Sequence, residues 1–452
     1  MRPHPNADRM KLAECFGNTV CVGLDAVEGE TVIYFPVDGQ LSAEYAEYNN
    51  LVRKKDENGN NIGGYLDPDK RNIKAIKLRG EKSDGLTMPL SSLEYTGIKF
   101  NELSVGDIIS VVNGHEICTK YIPRSNRSNR SAEGGNRTRK KKAPTAPLFM
   151  EHADTEQLAY NLGAFKSGDE IEITLKMHGT SQRTGYLPTL QGYKKTIWDK
   201  IFRREGTPIY DWGYVSGTRR TVLENYDGGY YGSNEFREEH SKTFEGKLWK
   251  GETIYYEVVG FTHTGTPIMA SCNNKKLNDK EFIKQYGEET VCSYGCVPNA
   301  VPAMVKAPEM KEVSPAIPQS DIYVYRMTMT NEDGDVVEYT PDFMRYRCEQ
   351  MGVKTVPVMW RGFIPAEEIF TGVSCELTDP GEFIKDKAEE FYDGPDPIGK
   401  THIREGVVVR ILKRPKFCAY KHKNFAFKVL EGIIKDTADA PDMEEAQDVN
   451  NE

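Results

Sequence analysis

The chain has 452 residues, 38% of them hydrophobic, and a formal net charge of −9 at pH 7. This length predicts two or three domains, and the acidic balance excludes a protein that holds nucleic acid by bulk charge, so any basic contact surface must be local. No apolar run approaches the length of a membrane span, the first residues lack the apolar stretch of a signal peptide, and nine irregularly spaced cysteines suit a reducing compartment. We therefore expect a soluble cytoplasmic protein that has no membrane partner.

Residues 1–118 are predicted to form a small all-β domain. Short apolar segments such as TVCVGL, ETVIYFPV and DIISVV alternate with Gly, Asp and Asn turn signals, which is typical of a barrel or sandwich of short strands. The opening HPNADRMKLAECFGNTVCVG and the later IKAIKLRGEKSDGLTMPLSSLE resemble OB-fold domains of the tRNA-binding-domain type. The resemblance implies an OB-fold-like nucleic-acid-binding domain, and a small barrel with only a packing role is the alternative.

Residues 119–149 have no periodicity and are rich in Ser, Asn, Gly, Pro and basic residues, so we predict a basic flexible linker. Its Arg/Lys cluster, from Arg124 to Lys142, offers flexible contacts to phosphates, although a charge run is most often only solvated. Residues 150–435 are long enough for one large mixed α/β domain, with an insertion at about 262–320 to which the sequence assigns no function. Residues 436–452 are acidic and nearly free of large apolar side chains, which predicts a disordered tail.

The segment IEITLKMHGTSQRTGYL is the most informative in the chain. Apolar residues alternate strictly with polar ones over residues 171–177, which predicts a strand with one packing face. The polar face carries Lys176 at the end of the strand and His178 just beyond it. Gly179 follows at a turn, where a glycine permits the close approach of a ligand. Taken alone, a lysine at a strand end is most often only a solvated charge.

KMHGT matches the Lys-x-His/Asp-Gly motif of the covalent nucleotidyltransferases, a superfamily that includes RNA ligases, DNA ligases and mRNA capping enzymes. The short motif is weak alone. Five further segments resemble the other motifs of the superfamily and follow in the same order, within residues 171–428. These segments are YVSGTRRTVLE, ETIYYEVVGF, DIYVYRMTM, IREGVVVRIL and FCAYKHKNFAFKVLE. The chain therefore resembles an ATP-dependent RNA ligase of the type with an N-terminal OB-fold domain.

The resemblance implies a role for individual residues. Lys176 would attack the α-phosphorus of ATP, expel pyrophosphate and carry AMP as a covalent lysyl–AMP. The implied nucleotide-binding residues are His178, Gly179, Arg219, Arg220, Glu257, Tyr323 and Tyr325. Arginine forks suit ribose and phosphate oxygens, and one of the tyrosines would stack on adenine. For either tyrosine alone, an ordinary strand aromatic is an equally good interpretation.

Charged residues of the later motifs complete the implied site. Lys421 and Lys423 lie two apart, so a strand puts both on one face, where they repel each other unless an anion such as triphosphate lies between them. The resemblance makes both lysines catalytic phosphate contacts. It also implies that Glu257 and Glu405 hold Mg²⁺ or Mn²⁺, or the water bound to the metal.

Two departures from the usual motifs indicate which member of the superfamily the chain resembles. His178 stands where many relatives have Asp, which favours an RNA ligase over a DNA ligase. Five residues after the lysine, where DNA ligases usually have Arg, the chain has Ser181, and Arg183 follows on the same strand face. DNA ligases and capping enzymes also generally carry an OB domain after the nucleotidyltransferase domain, whereas the OB-like region comes first in this chain.

The sequence thus predicts an α+β protein, with an N-terminal OB-like β-barrel followed by an adenylyltransferase (ATP-grasp-like ligase) domain of antiparallel sheets with flanking helices. The predicted function is ATP-dependent RNA ligation, which joins a 3′-hydroxyl to a 5′-phosphate through lysyl–AMP and an adenylylated 5′-phosphate. The cofactors would be ATP and Mg²⁺ or Mn²⁺, and the partner would be RNA, as a nicked duplex or as broken ends under repair. The alternatives are a capping guanylyltransferase and an RNA-binding protein with an inactive ligase domain; no oligomeric state is indicated.

Overall fold

The computed structural model describes most of the chain. The described residues are 1–60, 62–122, 143–202, 204–228, 231–299, 317–365 and 379–436. The Arg124–Lys142 cluster, part of the predicted insertion and the tail beyond residue 436 lie outside them. Two compact units are formed, one from Met1–Pro123 with Phe425–Asp436 and the other based on Arg124–Asn424. The helix at Phe425–Asp436 thus groups with the first unit, whereas the sequence assigned nearly all of it to the second domain.

The first unit consists of short strands around a small core. Its elements are β1 (Arg2–Pro3), β2 (Met10–Cys15), β3 (Asn18–Gly23), β4 (Val32–Phe35), β5 (Gly39–Leu41), α1 (Ala43–Tyr48), β6 (Ala75–Leu78), β7 (Glu81–Asp84), β8 (Leu86–Pro89), β9 (Val111–Val112), β10 (His115–Glu116) and β11 (Cys118–Lys120). Strands β1, β2 and β3 form one sheet, and the others pair as β4 with β8, β5 with β11, β6 with β7 and β9 with β10. Among the described residues these small sheets do not close into a barrel, so the predicted OB-like barrel is not confirmed.

The second unit contains two larger sheets with flanking helices. Its elements are β12 (Glu156–Gln157), β13 (Glu170–Lys176), β14 (Thr180–Lys194), α2 (Ile197–Ile201), β15 (Thr207–Gly217), α3 (Glu235–Lys242), β16 (Glu252–Gly260), β17 (Cys272–Asn273), α4 (Lys280–Tyr286), β18 (Glu289–Thr290), β19 (Ser320–Thr330), β20 (Val336–Glu338), α5 (Pro341–Met351), β21 (Lys354–Thr355), β22 (Val358–Phe363), α6 (Pro380–Glu389), β23 (Gly406–Ile411) and β24 (Ala419–Lys423). One sheet has the order β12-β24-β23-β13-β22, and the other has the order β15-β14-β16-β19-β20 with β21 beside β19. Neighbouring strands are antiparallel apart from β12 beside β24 and β21 beside β19. The predicted α+β class with antiparallel sheets is confirmed.

Each of these sheets buries one face. The alternation predicted for the lysine strand is present in β13, where Ile171 and Ile173 are fully buried and pack with Val409 of β23 and with α6. In the other sheet, Val258 of β16 and Val324 of β19 are fully buried in a core that includes residues of α5. Because the side-chain period of a strand is two, burial of these residues turns their neighbours to the opposite face. None of the described helices combines the length and the apolar composition that a bilayer crossing requires.

Candidate active site

The uncovered faces of the two sheets line one cleft in the second unit. Residues of the five-stranded sheet that line it are Glu172, Thr174, Leu175 and Lys176 of β13, Val408 and Arg410 of β23, and Ala419 of β24. Residues from the other sheet are Ser181, Glu257 and Tyr325. Most of these residues alternate along their strands with buried apolar residues. The packing of the two cores therefore decides which side chains reach the cleft.

Strand register puts the predicted lysines in line. Lys176 at the end of β13 is the Cα partner of Gly406 at the start of β23, and Gly406 is the Cα partner of Lys423 at the end of β24. Residues directly opposite each other in a sheet point to the same face, so the two lysines flank a position that has no side chain. Lys421 lies two residues before Lys423 on the same strand, opposite Val408.

Glu405, immediately before β23, connects three of the predicted residues. Its Oε1 atom lies 2.7 Å from Lys176 Nζ and 3.2 Å from Lys423 Nζ, and its Oε2 atom lies 3.3 Å from His178 Nδ1. The carboxylate is 1% exposed. Burial alone would raise its pKa, but the charges of the two lysines and the hydrogen bond from His178 hold the pKa of Glu405 well below its usual range. The carboxylate therefore stays ionised at the centre of the cluster.

Two motif glycines make room for this arrangement. A Cβ atom at Gly406 would lie 2.8 Å from the Cα atom of Lys423, and φ is +150° at this glycine. A Cβ atom at Gly179 would lie 2.8 Å from Cγ of Glu257. In the structure Gly179 permits the close approach of strand β16. Both glycines thus allow a neighbouring strand to pack against the lysine motifs.

Glu257 and Tyr323 belong to the six-stranded sheet, whereas Lys176 and Lys423 belong to the five-stranded one. Glu257 is buried on β16, where its Cα partners are Ser181 on one side and Tyr323 on the other. Tyr323 is also buried, and it packs with Leu175 and Met177, the two residues that flank Lys176. Glu257 lines the cleft and Tyr323 is not among the residues that do.

Tyr325 is the tyrosine that lines the cleft, and it lies at a β-bulge. The pairing of β19 with β16 passes from Val324 to Arg326, so Tyr325 is the extra residue of the bulge. Bulges re-aim a side chain relative to the regular pleat. The Tyr325 hydroxyl lies 2.8 Å from the Ser181 hydroxyl oxygen, and its ring centroid lies 5.0 Å from that of His152.

Arg219 and Arg220 follow β15 but have different surroundings. Arg219 lines the cleft and places Nη2 2.6 Å from Asp154 Oδ1, whereas the Arg220 side chain is 54% exposed and lies 3.3 Å from the other oxygen of the same carboxylate. Arg183 holds this turn by donating hydrogen bonds to the carbonyls of Thr218 at 3.0 Å and Arg220 at 3.1 Å. Because Arg183 is itself buried, it positions the two arginines and does not line the cleft.

His152 is a cleft residue that the motifs did not indicate. Its Nδ1 atom accepts a hydrogen bond from Arg326 Nη1 at 3.2 Å, and its ring centroid lies 5.6 Å from that of Phe417, another lining residue. Desolvation, together with the charges of Arg326 and Arg219, holds the pKa of His152 well below its ordinary value. The ring is therefore neutral and adds to the aromatic lining around Tyr325.

The predicted insertion contributes a second residue that sequence reasoning missed. The hydroxyl oxygen of Tyr294 accepts the backbone N–H of His178 at 2.6 Å, and the ring packs with Leu175 and Met177. The ring of His402 lies edge-on to it, with the centroids 4.7 Å apart. Tyr294 thus fixes the backbone immediately after Lys176. No motif or periodicity in its segment distinguished it from other aromatics.

A divalent cation would find oxygen donors here. Glu257 and Glu405 are buried carboxylates, and carboxylates are the donors that Mg²⁺ prefers. Within the described ranges, neither Glu257 nor the cysteines of the insertion belong to a cluster of three side chains that could share one ion. Mg²⁺ commonly keeps several waters and binds through one or two carboxylates plus substrate phosphates, and these residues fit that mode.

Comparison with solved structures finds this fold in an RNA ligase of Naegleria gruberi. An apo mutant of that enzyme matches with a TM-score of 0.51 and 16% identity, over 94% of this chain and 94% of that chain. A mutant with AMP and Mn matches with a TM-score of 0.51 and 15% identity, over 94% of this chain and 95% of that chain. The ligase with pyrophosphate matches with a TM-score of 0.50 and 15% identity, over 94% of each chain. No family model matches the chain, and no curated protein matches its sequence.

Proposed function

We propose that the protein is an ATP-dependent RNA ligase that joins 3′-hydroxyl and 5′-phosphate ends through a lysyl–AMP at Lys176. The observation that carries the proposal is the row formed by Lys176, Gly406 and Lys423, with the buried Glu405 carboxylate shared by both lysines. Lys176 lines a cleft with aromatic and arginine side chains, which suits a nucleotide. The fold is also that of an RNA ligase whose structures hold ATP, AMP or pyrophosphate, which supports the same conclusion.

In the first step, Lys176 Nζ forms a bond to the α-phosphorus of ATP, and the bond to pyrophosphate breaks. Glu405 orients the amine at 2.7 Å, and because this carboxylate is ionised it accepts the hydrogen bond. Lys421 and Lys423 offset the negative charge that develops on the phosphoryl oxygens and on the leaving pyrophosphate. AMP then passes to the 5′-phosphate of the RNA, and attack by the 3′-hydroxyl releases it.

The remaining predicted residues receive roles from their surroundings. Tyr325 is the proposed stacking partner of adenine, beside the neutral ring of His152. Arg219 faces the nucleotide, and the more exposed Arg220 is placed for the 5′-phosphate of the RNA. His178 and Gly179 shape the turn next to the reacting amine.

A divalent cation, Mg²⁺ or Mn²⁺, would be held by Glu257 and Glu405 together with the triphosphate, and it would neutralise charge on the phosphate oxygens. The first unit is proposed to be an OB-fold-like RNA-binding domain, on the strength of its short β-strands and the quoted sequence resemblance. Its proposed role is to position the RNA ends. The proposed domain limits are 1–118 for the RNA-binding domain, 119–149 for the linker and 150–435 for the nucleotidyltransferase domain.

The test is the Lys176→Ala variant, assayed in two reactions. Incubation with labelled ATP should label the wild-type protein and leave the variant unlabelled, because the nucleophile is gone. The variant should still seal a nick whose 5′ end is already adenylylated, because that step does not use the lysine. Lys166→Ala removes an exposed lysine before β13 and serves as the control, with both reactions intact.

Three results would contradict the proposal. The enzyme assignment fails if the wild type takes no label with Mg²⁺ or Mn²⁺. Labelling by GTP in place of ATP indicates a capping guanylyltransferase. Equal loss of both reactions in Lys176→Ala indicates that the lysine is misassigned or needed for folding.

A further inference from the structure

The long hairpin formed by β14 and β15 ends in a tip, described over residues 195–202 and 204–206, that presents four large apolar side chains to solvent. Ile197 is 75% exposed, Trp198 67%, Ile201 61% and Phe202 59%. An exposed cluster of this kind, rimmed by polar residues, commonly marks an interaction site.

Hydrogen bonds among its described residues hold the backbone of the hairpin tip. Thr196 caps helix α2, since its hydroxyl oxygen accepts the backbone N–H of Asp199 at 3.2 Å, while the Asp199 carboxylate accepts the backbone N–H of Thr196 at 2.9 Å. The backbone N–H of Arg204 donates to the Asp199 carbonyl at 2.8 Å. Such a capping box satisfies donors reciprocally and fixes the entry to a helix. The apolar side chains are therefore displayed in a defined arrangement.

Aromatic rings and basic charge are combined at the tip. The rings of Trp198 and Phe202 are nearly parallel, with an interplanar angle of 15° and centroids 6.1 Å apart, and the Arg204 guanidinium lies 5.6 Å from the Phe202 ring. The described residues 194–202 and 204–205 contain four Lys or Arg and two acidic residues, in a chain of net charge −9. The tip is thus a local basic surface of the kind that the acidic composition requires for a contact with nucleic acid.

We propose that the hairpin tip binds unpaired RNA of the ligase substrate, with bases stacked on Trp198 and Phe202 and phosphates held by the surrounding lysines. Exposed aromatics in a basic surface are the usual means of binding single-stranded nucleic acid without sequence preference. Charge complementarity selects RNA, which is also the partner that the proposed function brings to this unit; the inference rests on that function.

The position of the tip limits its role to holding substrate. Strand β14 starts four residues after Lys176 and continues for 15 residues, which corresponds to roughly 50 Å at the rise of an extended strand. The tip therefore lies far from the reacting phosphorus. Its loss should weaken the binding of RNA and leave the reaction of Lys176 with ATP unchanged.

The test measures RNA binding in the absence of ATP. Fluorescence anisotropy of a labelled oligouridine is recorded with the full-length wild type, with a Trp198→Ala/Phe202→Ala double variant and with Ile209→Ala, which removes a 47% exposed apolar side chain from the same hairpin. The double variant should bind at least about tenfold more weakly, as expected from the loss of base stacking. Ile209→Ala should bind like the wild type, and all three proteins should self-adenylylate equally.

A second variant tests the charge. In the Lys195→Glu/Lys200→Glu variant, RNA affinity should depend less steeply on salt. The magnitude of the slope of log affinity against log salt should fall by about 1.4, since each phosphate contact on a single strand contributes about 0.7. Unchanged RNA affinity in the double aromatic variant would overturn the proposal. So would a shift of tryptophan emission in the wild type with phosphatidylserine vesicles but not with oligouridine, which indicates a membrane surface.

The same assays separate this inference from the proposed function. RNA binding that depends on Trp198 and Phe202, in a protein that takes no AMP label, would leave the tip assignment standing and remove the ligase. Self-association that disappears in the double variant while RNA affinity stays unchanged would make the tip a contact between copies of this chain, and the proposal would be wrong.

Discussion

Two buried glutamates of the second unit, Glu252 and Glu405, hold their charge in different ways. Glu252 accepts hydrogen bonds from Arg347 Nε and Nη2, both at 2.8 Å, from the Tyr339 hydroxyl at 3.0 Å and from the Trp249 backbone N–H at 2.8 Å. The Arg347 guanidinium also lies 3.8 Å from the centre of the Trp249 ring. The planar guanidinium group of Arg347 and the aromatic residues around it hold the Glu252 carboxylate in one position, so these residues form a rigid structural network.

Glu405 has partners that can leave it. Its Oε1 atom is shared by the ammonium groups of Lys176 and Lys423, whose side chains are 23% and 15% exposed. An ammonium group is a compact charge on a flexible stem, so either lysine can turn to a phosphate without disturbing the sheets. The comparison indicates that the Glu252–Arg347 pair stabilises the fold, while the Glu405 cluster holds the side chains of Lys176 and Lys423.

The largest effect is expected from Glu405→Gln, with Glu252→Gln as its matched control. Loss of the Glu405 charge should slow labelling of Lys176 by AMP about 100-fold or more, since the amine loses the group that orients it and one electrostatic contact is commonly worth this much. The free energy of unfolding should also fall, because the ionised carboxylate stabilises the folded chain, but by less than in Glu252→Gln, because the side chains of both lysines are partly exposed. Rapid labelling with AMP and urea titrations provide the two measurements.

Glu252→Gln should show the opposite pattern. It leaves Arg347 buried without its counter-ion, so the free energy of unfolding should fall by about 3–5 kcal/mol. The folded fraction should still take AMP at the wild-type rate. If Glu405→Gln destabilised the protein as much as Glu252→Gln and kept its activity, the distinction between the two glutamates would be wrong.

A smaller effect is expected from Tyr294→Phe, which tests how the Glu405 cluster is kept in register. The substitution leaves the His178 backbone N–H without its acceptor, which costs about 1–3 kcal/mol for a buried donor and should lower the rate of Lys176 adenylylation about tenfold. The KM for ATP should stay near the wild-type value, because Tyr294 does not line the cleft. Steady-state kinetics of AMP labelling give both quantities.

Tyr286→Phe is the matched control for this variant. It removes a hydroxyl from another largely buried tyrosine of the same insertion, where the hydroxyl accepts from Gln285 at 3.2 Å. Labelling should be unaffected. A change in KM with an unchanged rate constant in Tyr294→Phe would indicate a contact with the nucleotide, contrary to a positioning role.

The sequence predicted the local features of this site better than its long-range ones. The alternation in β13 and the spacing of Lys421 and Lys423 are local, and both are present as strand features. The alignment of Lys176 with Gly406 and Lys423 depends on pairing between strands more than 200 residues apart, so periodicity does not show it. The bulge at Tyr325 likewise follows from the register with β16.

Other residues were missed for a related reason. The sequence placed Arg183 on the strand face of Ser181, but the carbonyls that it holds belong to the turn after β15. His152 and Tyr294 come from segments without periodicity or a motif, and only the packing of three or more elements brings them together around Lys176. The predicted OB-like barrel rested on short motifs, which do not specify how small sheets close.

The smallest effect is expected from the dependence of the unfolding free energy on pH. This dependence involves histidines that are buried in the neutral form, in contrast to the two charged glutamates. Desolvation lowers the pKa of His240 to about 4, and it lowers the pKa of His402 as well. Above the unfolded value of about 6.5 the folded and unfolded chains are both neutral at these rings, so their contribution to stability is fully present. As the pH falls from about 6.5 towards 4, the unfolded chain binds protons that the folded chain does not, and stability is lost. For Glu405 the lowered pKa places the loss of stability below the unfolded value of about 4.3, so the histidines lose their contribution first as the pH falls.

His240→Gln should therefore flatten the dependence of unfolding free energy on pH between about 6.5 and 4 by up to about 1.4 kcal/mol per pH unit. Urea titrations at a series of pH values measure it, and parallel curves for variant and wild type would show that His240 is not a source of the acid sensitivity.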